Sequence, residues 1–484
     1  MTTTVLNCDT GTIAPYVPSV DMPWDKKRVM HLYRRMTFGG LKPEQIEGAL
    51  VQDPGELVDS LIDAAIALPL PEQPEWAFWT INDYTDLDNQ PFQQIQSWIL
   101  KWLNDMLANG FRDKLSLFWH NHFVTRLDTY GCPSYMYQYH KLLQQFALGN
   151  FKDFVKEIGK TPAMLVFLNG LQNSNFEPNE NYGRELYELF TLGRDNGYTQ
   201  TDVEQTARAL TGWVGHVVDC GPIGFVPTFH DDGEKTIFGQ TGNWGYDDVH
   251  DLLFEQRGAL VAQHICKKIY RHFVNPVVNQ DIVNELAATF QNNNFDLAPV
   301  YRQLFKSEHF FNDNIIGSIV KNPLETMFTF ILETGLPFND DMLEVMGYFS
   351  TILGQDLFNP VDVAGWQEDH DWVNSNTLTG RWQATDFYLG TLFDNQESVF
   401  QQFGLSLVGE SIDPYHVTQM IVDHFIPNGL QTQQAYDQAT IIFKWEVPQN
   451  YYENGIWNMH FDTVPVQVVL LLQHISRLPE FQLA

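Results

Sequence analysis

Glu180, Arg184, Glu185 and Glu188 cluster in the stretch Asn179–Gly193, where three carboxylates and a guanidinium share a short helical pattern. Carboxylates so placed can move protons or bind a cation, and an arginine beside them can fix an anionic group. On an ideal helix Tyr182, Leu186, Leu189 and Phe190 form the apolar face, with Glu185 at its rim and Glu188 further round. A carboxylate at such a rim needs a partner, and Arg184, Arg208 or a metal ion would serve. Upstream lies Phe118-Trp119-His120-Asn121-His122-Phe123, and downstream His230-Asp231-Asp232-Gly233-Glu234-Lys235 follows an apolar run. The sequence therefore nominates His122, Glu185, Arg184, Arg208 and His230 as catalytic candidates. It nominates His120, His122, Glu185 and Glu188 as ligands of a divalent metal ion.

Each nomination has a structural counterpart. His120 and His122 cannot both reach one ion from a straight helix, but they can if the helix ends near Trp119 and the chain turns extended. Otherwise His122 is a hydrogen-bonded core histidine. The Glu–Arg cluster reads equally as a packing network, because Glu185 and Glu188 lack the Glu-x-x-His pairing of carboxylate-bridged metal sites. The acidic turn at 230–235 lacks the alternation of a calcium loop. Phosphate-binding glycine loops, G-x-S-x-G and H-E-x-x-H are absent from the sequence.

The elements that must position these residues are helices. Phe92, Ile95, Trp98, Ile99, Trp102, Leu103 and Met106 give a helical series that Asn109-Gly110 closes. Similar spacing predicts helices near 111–125, 134–148, 151–159, 180–192, 202–213, 247–275, 279–291, 296–308, 321–335, 340–353, 413–425 and 430–443. Thr201 and Glu204 read as a capping box for the 202–213 helix. The glycine-rich segment 214–245 is the exception, and it predicts a small irregular or β excursion in a mainly α fold. The chain divides into an extended arm at 1–23, a helical body at 24–355, and a C-terminal helical region at 356–484 packed on that body.

With 484 residues, 28 basic and 60 acidic, the chain carries a formal net charge of −32, which opposes nucleic acid and anionic membranes as partners. No stretch has the length and apolarity of a membrane span. Cys8, Cys132, Cys220 and Cys266 are widely spaced and read as free buried thiols. The N-terminus shows no leader pattern, which points to the cytoplasm.

The motif segments together resemble a known family. His31–Gly39, Phe118–Phe123, Asn179–Gly193, Ala209–Trp213, His230–Lys235 and Asn359–Trp366 occur in the order seen in the bacterial family called domain of unknown function 1800, and Arg477–Leu483 is similar to its C-terminus. The resemblance implies a predominantly helical protein whose activity is not established. It also implies export to the periplasm or beyond for many relatives, and a neighbouring partner family, domain of unknown function 1501, similar to alkaline-phosphatase-like hydrolases. Two functions follow as expectations: an enzyme-like polar or metal-assisted site, or a non-catalytic scaffold whose polar motifs fix helix packing.

Overall fold

Helix caps written into the sequence start most of the predicted elements. In the computed structural model, which describes residues 11–484, Asn322 caps Pro323–Thr334 by accepting from the Glu325 amide at 2.9 Å, while the Glu325 carboxylate returns a bond to the Asn322 amide. Among the described residues, twenty-two α-helices and two small two-stranded sheets make the fold mainly α. Residues 1–10 of the predicted arm, with Cys8, lie outside the described residues. From 11 to 23 the chain forms no helix and pairs through Pro15 with Ser307.

Several local expectations are corrected. The helix predicted at 202–213 is Gln200–Ala209, capped by Thr199 with Asp202. It starts earlier because Thr199 is already extended, which places Thr201 and Glu204 inside the helix. The helix predicted at 180–192 is an α-turn, Asn181–Glu185, continuing into a π-helical turn, Leu186–Thr191. The wider π-turn rotates the face. Tyr187 is buried against the core, and Leu189 is left half-buried. Pro54–Ala67, Ser375–Gln396, Ser398–Val408 and Val464–Arg477 are helices that periodicity did not single out. Ser375–Gln396 buries Gly380, Arg381 and Thr385 on its core face, which blurs the apolar stripe.

The glycine-rich excursion folds as two antiparallel hairpins. β1 (Trp213–Gly215) pairs with β2 (Ile223–Phe225), and β3 (Lys235–Ile237) with β4 (Gln240–Gly242). Between β1 and β2, Cys220 is disulfide-bonded to Cys132 at the start of the Pro133–Gln145 helix. The expectation of free thiols is wrong for this pair, since tertiary contact joins cysteines 88 residues apart. Cys266 is a free, buried thiol.

The Phe111–His122 helix runs through the core and is buried on every side. All its residues except Asn121 are buried, including Arg112, Asp113, Lys114, His120 and His122. Each buried polar group therefore needs a partner within the protein.

Candidate functional site

The straight-helix geometry holds at the two histidines, and they face different neighbours. His120 Nδ1–H donates to the Tyr139 hydroxyl at 2.8 Å, and its Nε2 accepts from the Phe358 amide at 2.9 Å. Tyr139 in turn donates to the Phe123 carbonyl, so the hydroxyl oxygen is free to accept. Burial pushes the His120 pKa down to about 3, and the ring is a neutral strut. His122 Nε2–H donates to the Phe190 carbonyl at 3.0 Å, while its Nδ1 accepts from Lys268 Nζ at 3.1 Å. Burial, with Lys268 and His264 nearby, holds its pKa well below the usual histidine range.

The opening carboxylate cluster forms an ion-pair ladder. Arg184 bonds Glu180 at 2.7 Å and approaches Glu188 at 3.5 Å. The Glu185 side chain is half-buried and, among the described residues, makes no hydrogen bond or ion pair, so neither Arg184 nor Arg208 is the partner expected for it. Desolvation, and then the charge of Glu188, raise its pKa against the pull of Arg184; the carboxyl meets its cost by holding its proton more tightly. Arg208 pairs with Asp231 at 2.7 Å, and His230 Nδ1–H donates to the Thr211 carbonyl at 3.0 Å. Arg208 and His230 meet around Thr211 and Asp231, while Arg184 is held by Glu180 and Glu188. Among the described residues no group of three or more His, Cys, Asp or Glu could hold a metal ion. His120, His122, Glu185 and Glu188 therefore do not form the expected ligand set. Both nitrogens of each histidine are already used inside the protein.

The place where motif segments do converge is a small pocket that the sequence reading passed over. A cavity of about 70 Å³, room for a few waters or one small ion, lies against Arg34, Arg35, Lys114, Asn121, His272 and Trp366. Lys268, Arg271 and His272 share one face of the long Tyr246–Phe273 helix, and the last two line this pocket. Lys114 pairs with Glu325, which also takes the Asn322 amide at 2.8 Å. Arg34 is committed to Glu333 through two bonds of 2.7 Å. Arg35 is 3% exposed and its Nε has no partner. Asn121, the one residue of its helix that is not buried, accepts the Trp366 amide at 2.6 Å.

The turn that delivers Trp366 requires glycine. Gly365 has φ +102°, and a Cβ there would stand 2.3 Å from Asn121 Oδ1 and 2.7 Å from the Asn121 carbonyl oxygen. Gly365→Ala should cost about 1–3 kcal/mol through backbone strain alone, read as a lower urea midpoint; an unchanged midpoint would contradict this placement.

A family match decides the grouping. The model of the family described as "Protein of unknown function (DUF1800)" matches residues 31–483. The chain belongs to that family. No match was found among curated proteins or among solved structures. Within this DUF1800 protein, Arg34, Arg35, Asn121 and Trp366 come from segments that carried the resemblance, and they meet at the pocket. Sequence reasoning chose His120 and His122 and missed Asn121 between them. The signal for Lys114, Lys268 and His272 was a cationic or polar side chain within otherwise strongly apolar helices. No helix among the described residues is long and apolar enough to cross a membrane.

Proposed function

We propose that this protein takes a small polar ligand in the pocket between the Phe111–His122 and Tyr246–Phe273 helices, with Lys268, one helical turn before the lining residues Arg271 and His272, as its acid–base group. The observation that carries this reading is the environment of Lys268. Its Nζ lies 3.1 Å from His122 Nδ1, and among the described residues it forms no ion pair with a carboxylate. Burial lowers its pKa to about 8, with Glu368 opposing and Arg271 adding to the shift. An amine titrating there exchanges protons readily near neutral pH. His122, fixed by its bond to Phe190, keeps a lone pair directed at that amine. In this reading the histidine of the motif positions the lysine. It neither binds metal nor meets the substrate.

Competitive amine labelling tests this. Lys268 is expected to react with a midpoint near pH 8, and the midpoint should move on His122→Gln substitution. A midpoint near the ordinary lysine value of about 10.4 would reject the acid–base role.

A second reading, assembly with a protein partner, is favoured by a different observation. The β1–β2 hairpin region exposes Val218 (87%), Phe225 (48%) and Phe229 (39%), next to Phe176 (80%). Clustered exposed apolar groups mark interaction surfaces. A member of the family domain of unknown function 1501 is the partner that the resemblance implies. Co-purification that depends on Phe176 and Val218 would support it.

A further inference from the structure

We propose that the pocket is a site for a small oxyanion group, the phosphate or carboxylate of a larger ligand, held by donors that the protein itself leaves unpaired. The proposal rests on the pocket being the ligand site and goes further by naming the chemistry of the ligand.

The donors are in excess. Arg35 Nε–H and the Trp366 indole N–H are both buried and have no partner. Each residue lines the cavity. Among the described residues the Arg35 side chain makes two long hydrogen bonds elsewhere, both at 3.4 Å, from its Nη2 to the Ile315 carbonyl and the Ser318 hydroxyl. Arg271 and His272 line the same cavity, and among the described residues neither side chain makes a hydrogen bond or ion pair. His272 is neutral, because burial and then the charge of Lys114 push its pKa down to about 3, so it offers one N–H. Asn121 adds an amide donor: the Trp366 amide donates to Asn121 Oδ1, which fixes the flip and leaves Nδ2 uncommitted.

The acceptors are mostly spent. Glu325 takes Lys114 on one oxygen and the Asn322 amide on the other. Asp369 takes the Val320 amide at 3.0 Å, and Gln355 Oε1 takes the Leu324 amide at 3.1 Å. Glu368 is the exception, an exposed carboxylate at the rim that forms no ion pair among the described residues. Buried donors without acceptors cost free energy, and a group rich in acceptor oxygens offsets that cost. A cation or an apolar group would leave all five donors unpaired. The volume fits one oxyanion and not a whole cofactor, so the remainder of the ligand extends past Glu368 into solvent.

The test uses the full chain and the fluorescence of its tryptophans, with inorganic phosphate, sulfate and acetate titrated against chloride at matched ionic strength. Saturable binding of phosphate, acetate or both supports the proposal, and their relative affinity says which oxyanion the site prefers. Arg271→Ala removes an exposed, unpaired cation and should fold normally. It is expected to weaken binding about tenfold. Asn121→Asp replaces the free donor with an acceptor and should weaken it at least as much. Absence of saturable binding, or binding unchanged in both variants, overturns the proposal. If a neutral or cationic compound protects Lys268 from labelling while no anion does, the pocket remains the ligand site and only the oxyanion assignment falls. If Lys268 titrates as an ordinary lysine while phosphate binds, the acid–base role falls and the oxyanion site stands.

Discussion

Lowering the pH from 7 to 5 is expected to remove most of the folding stability, because the core holds an unusual number of neutral histidines. Burial pushes His120 and His272 down to about 3 and His250, His264 and His424 down to about 4. In the unfolded chain each takes up its proton near 6.5. The folded pKa values are depressed, so the stability is fully present above about pH 6.5 and is lost as pH falls toward the folded values. At pH 5 each of the fully buried ones, His120, His250 and His424, accounts for about 2 kcal/mol of that loss and the three together for on the order of 6 kcal/mol, while His264 and His272, which keep some exposure, add less. Glu185, Asp105 and Asp356, raised chiefly by desolvation, push the other way. Most surface carboxylates stay ionised at pH 5, so repulsion within the acidic chain changes little. Urea midpoints measured between pH 7.5 and 4.5 check this, and a flat profile down to pH 5 would contradict the neutral assignment of the core histidines.

Glu333→Gln is expected to destabilise the protein by about 3–5 kcal/mol, the cost of leaving a buried guanidinium without its counter-ion. Glu333 is 0% exposed and takes both Arg34 bonds and the Gly40 amide at 2.8 Å. Arg34 also donates to the His424 carbonyl at 2.8 Å, and His424 Nε2–H donates to the Glu333 carbonyl at 2.7 Å. The pair thus ties Lys26–Met36 and Pro323–Thr334 to Pro414–Phe425. Burial alone would raise the Glu333 pKa, but the Arg34 guanidinium and its bonds hold it below the ordinary value. Its stabilisation is accordingly lost as pH falls through that folded value, in the same direction as the histidines. The double variant Arg34→Met with Glu333→Leu removes both charges and should recover much of the loss. A single Gln variant as stable as the parent would sink the idea.

Much of the fold was legible because helices announce themselves locally. Apolar spacing found the 90–109 and 246–273 helices, and glycine density found the hairpin excursion. What spacing could not supply was the content of the buried faces. Ser375–Gln396 presents Arg381 and Thr385 to the core, where Arg381 donates to Thr326 at 2.7 Å and to the Lys321 carbonyl at 2.9 Å. A pattern search reads such a face as solvent.

The sequence by itself determined the family, the helical class and the excursion, since these depend on residues a few positions apart. Tertiary structure alone decided which polar side chains meet. His120 is joined to Phe358 over 238 residues, Asn121 to Trp366 over 245 and Arg34 to Glu333 over 299. Helical period fixes where a side chain points about its own axis, but packing of distant elements fixes what stands opposite. For that reason Glu180 and Glu188, prominent in the sequence, became the ends of a partly exposed ion-pair ladder on Arg184, with Glu185 left outside it. The unpaired donors of Arg35, Asn121 and Trp366, scattered along the chain, came to face one cavity.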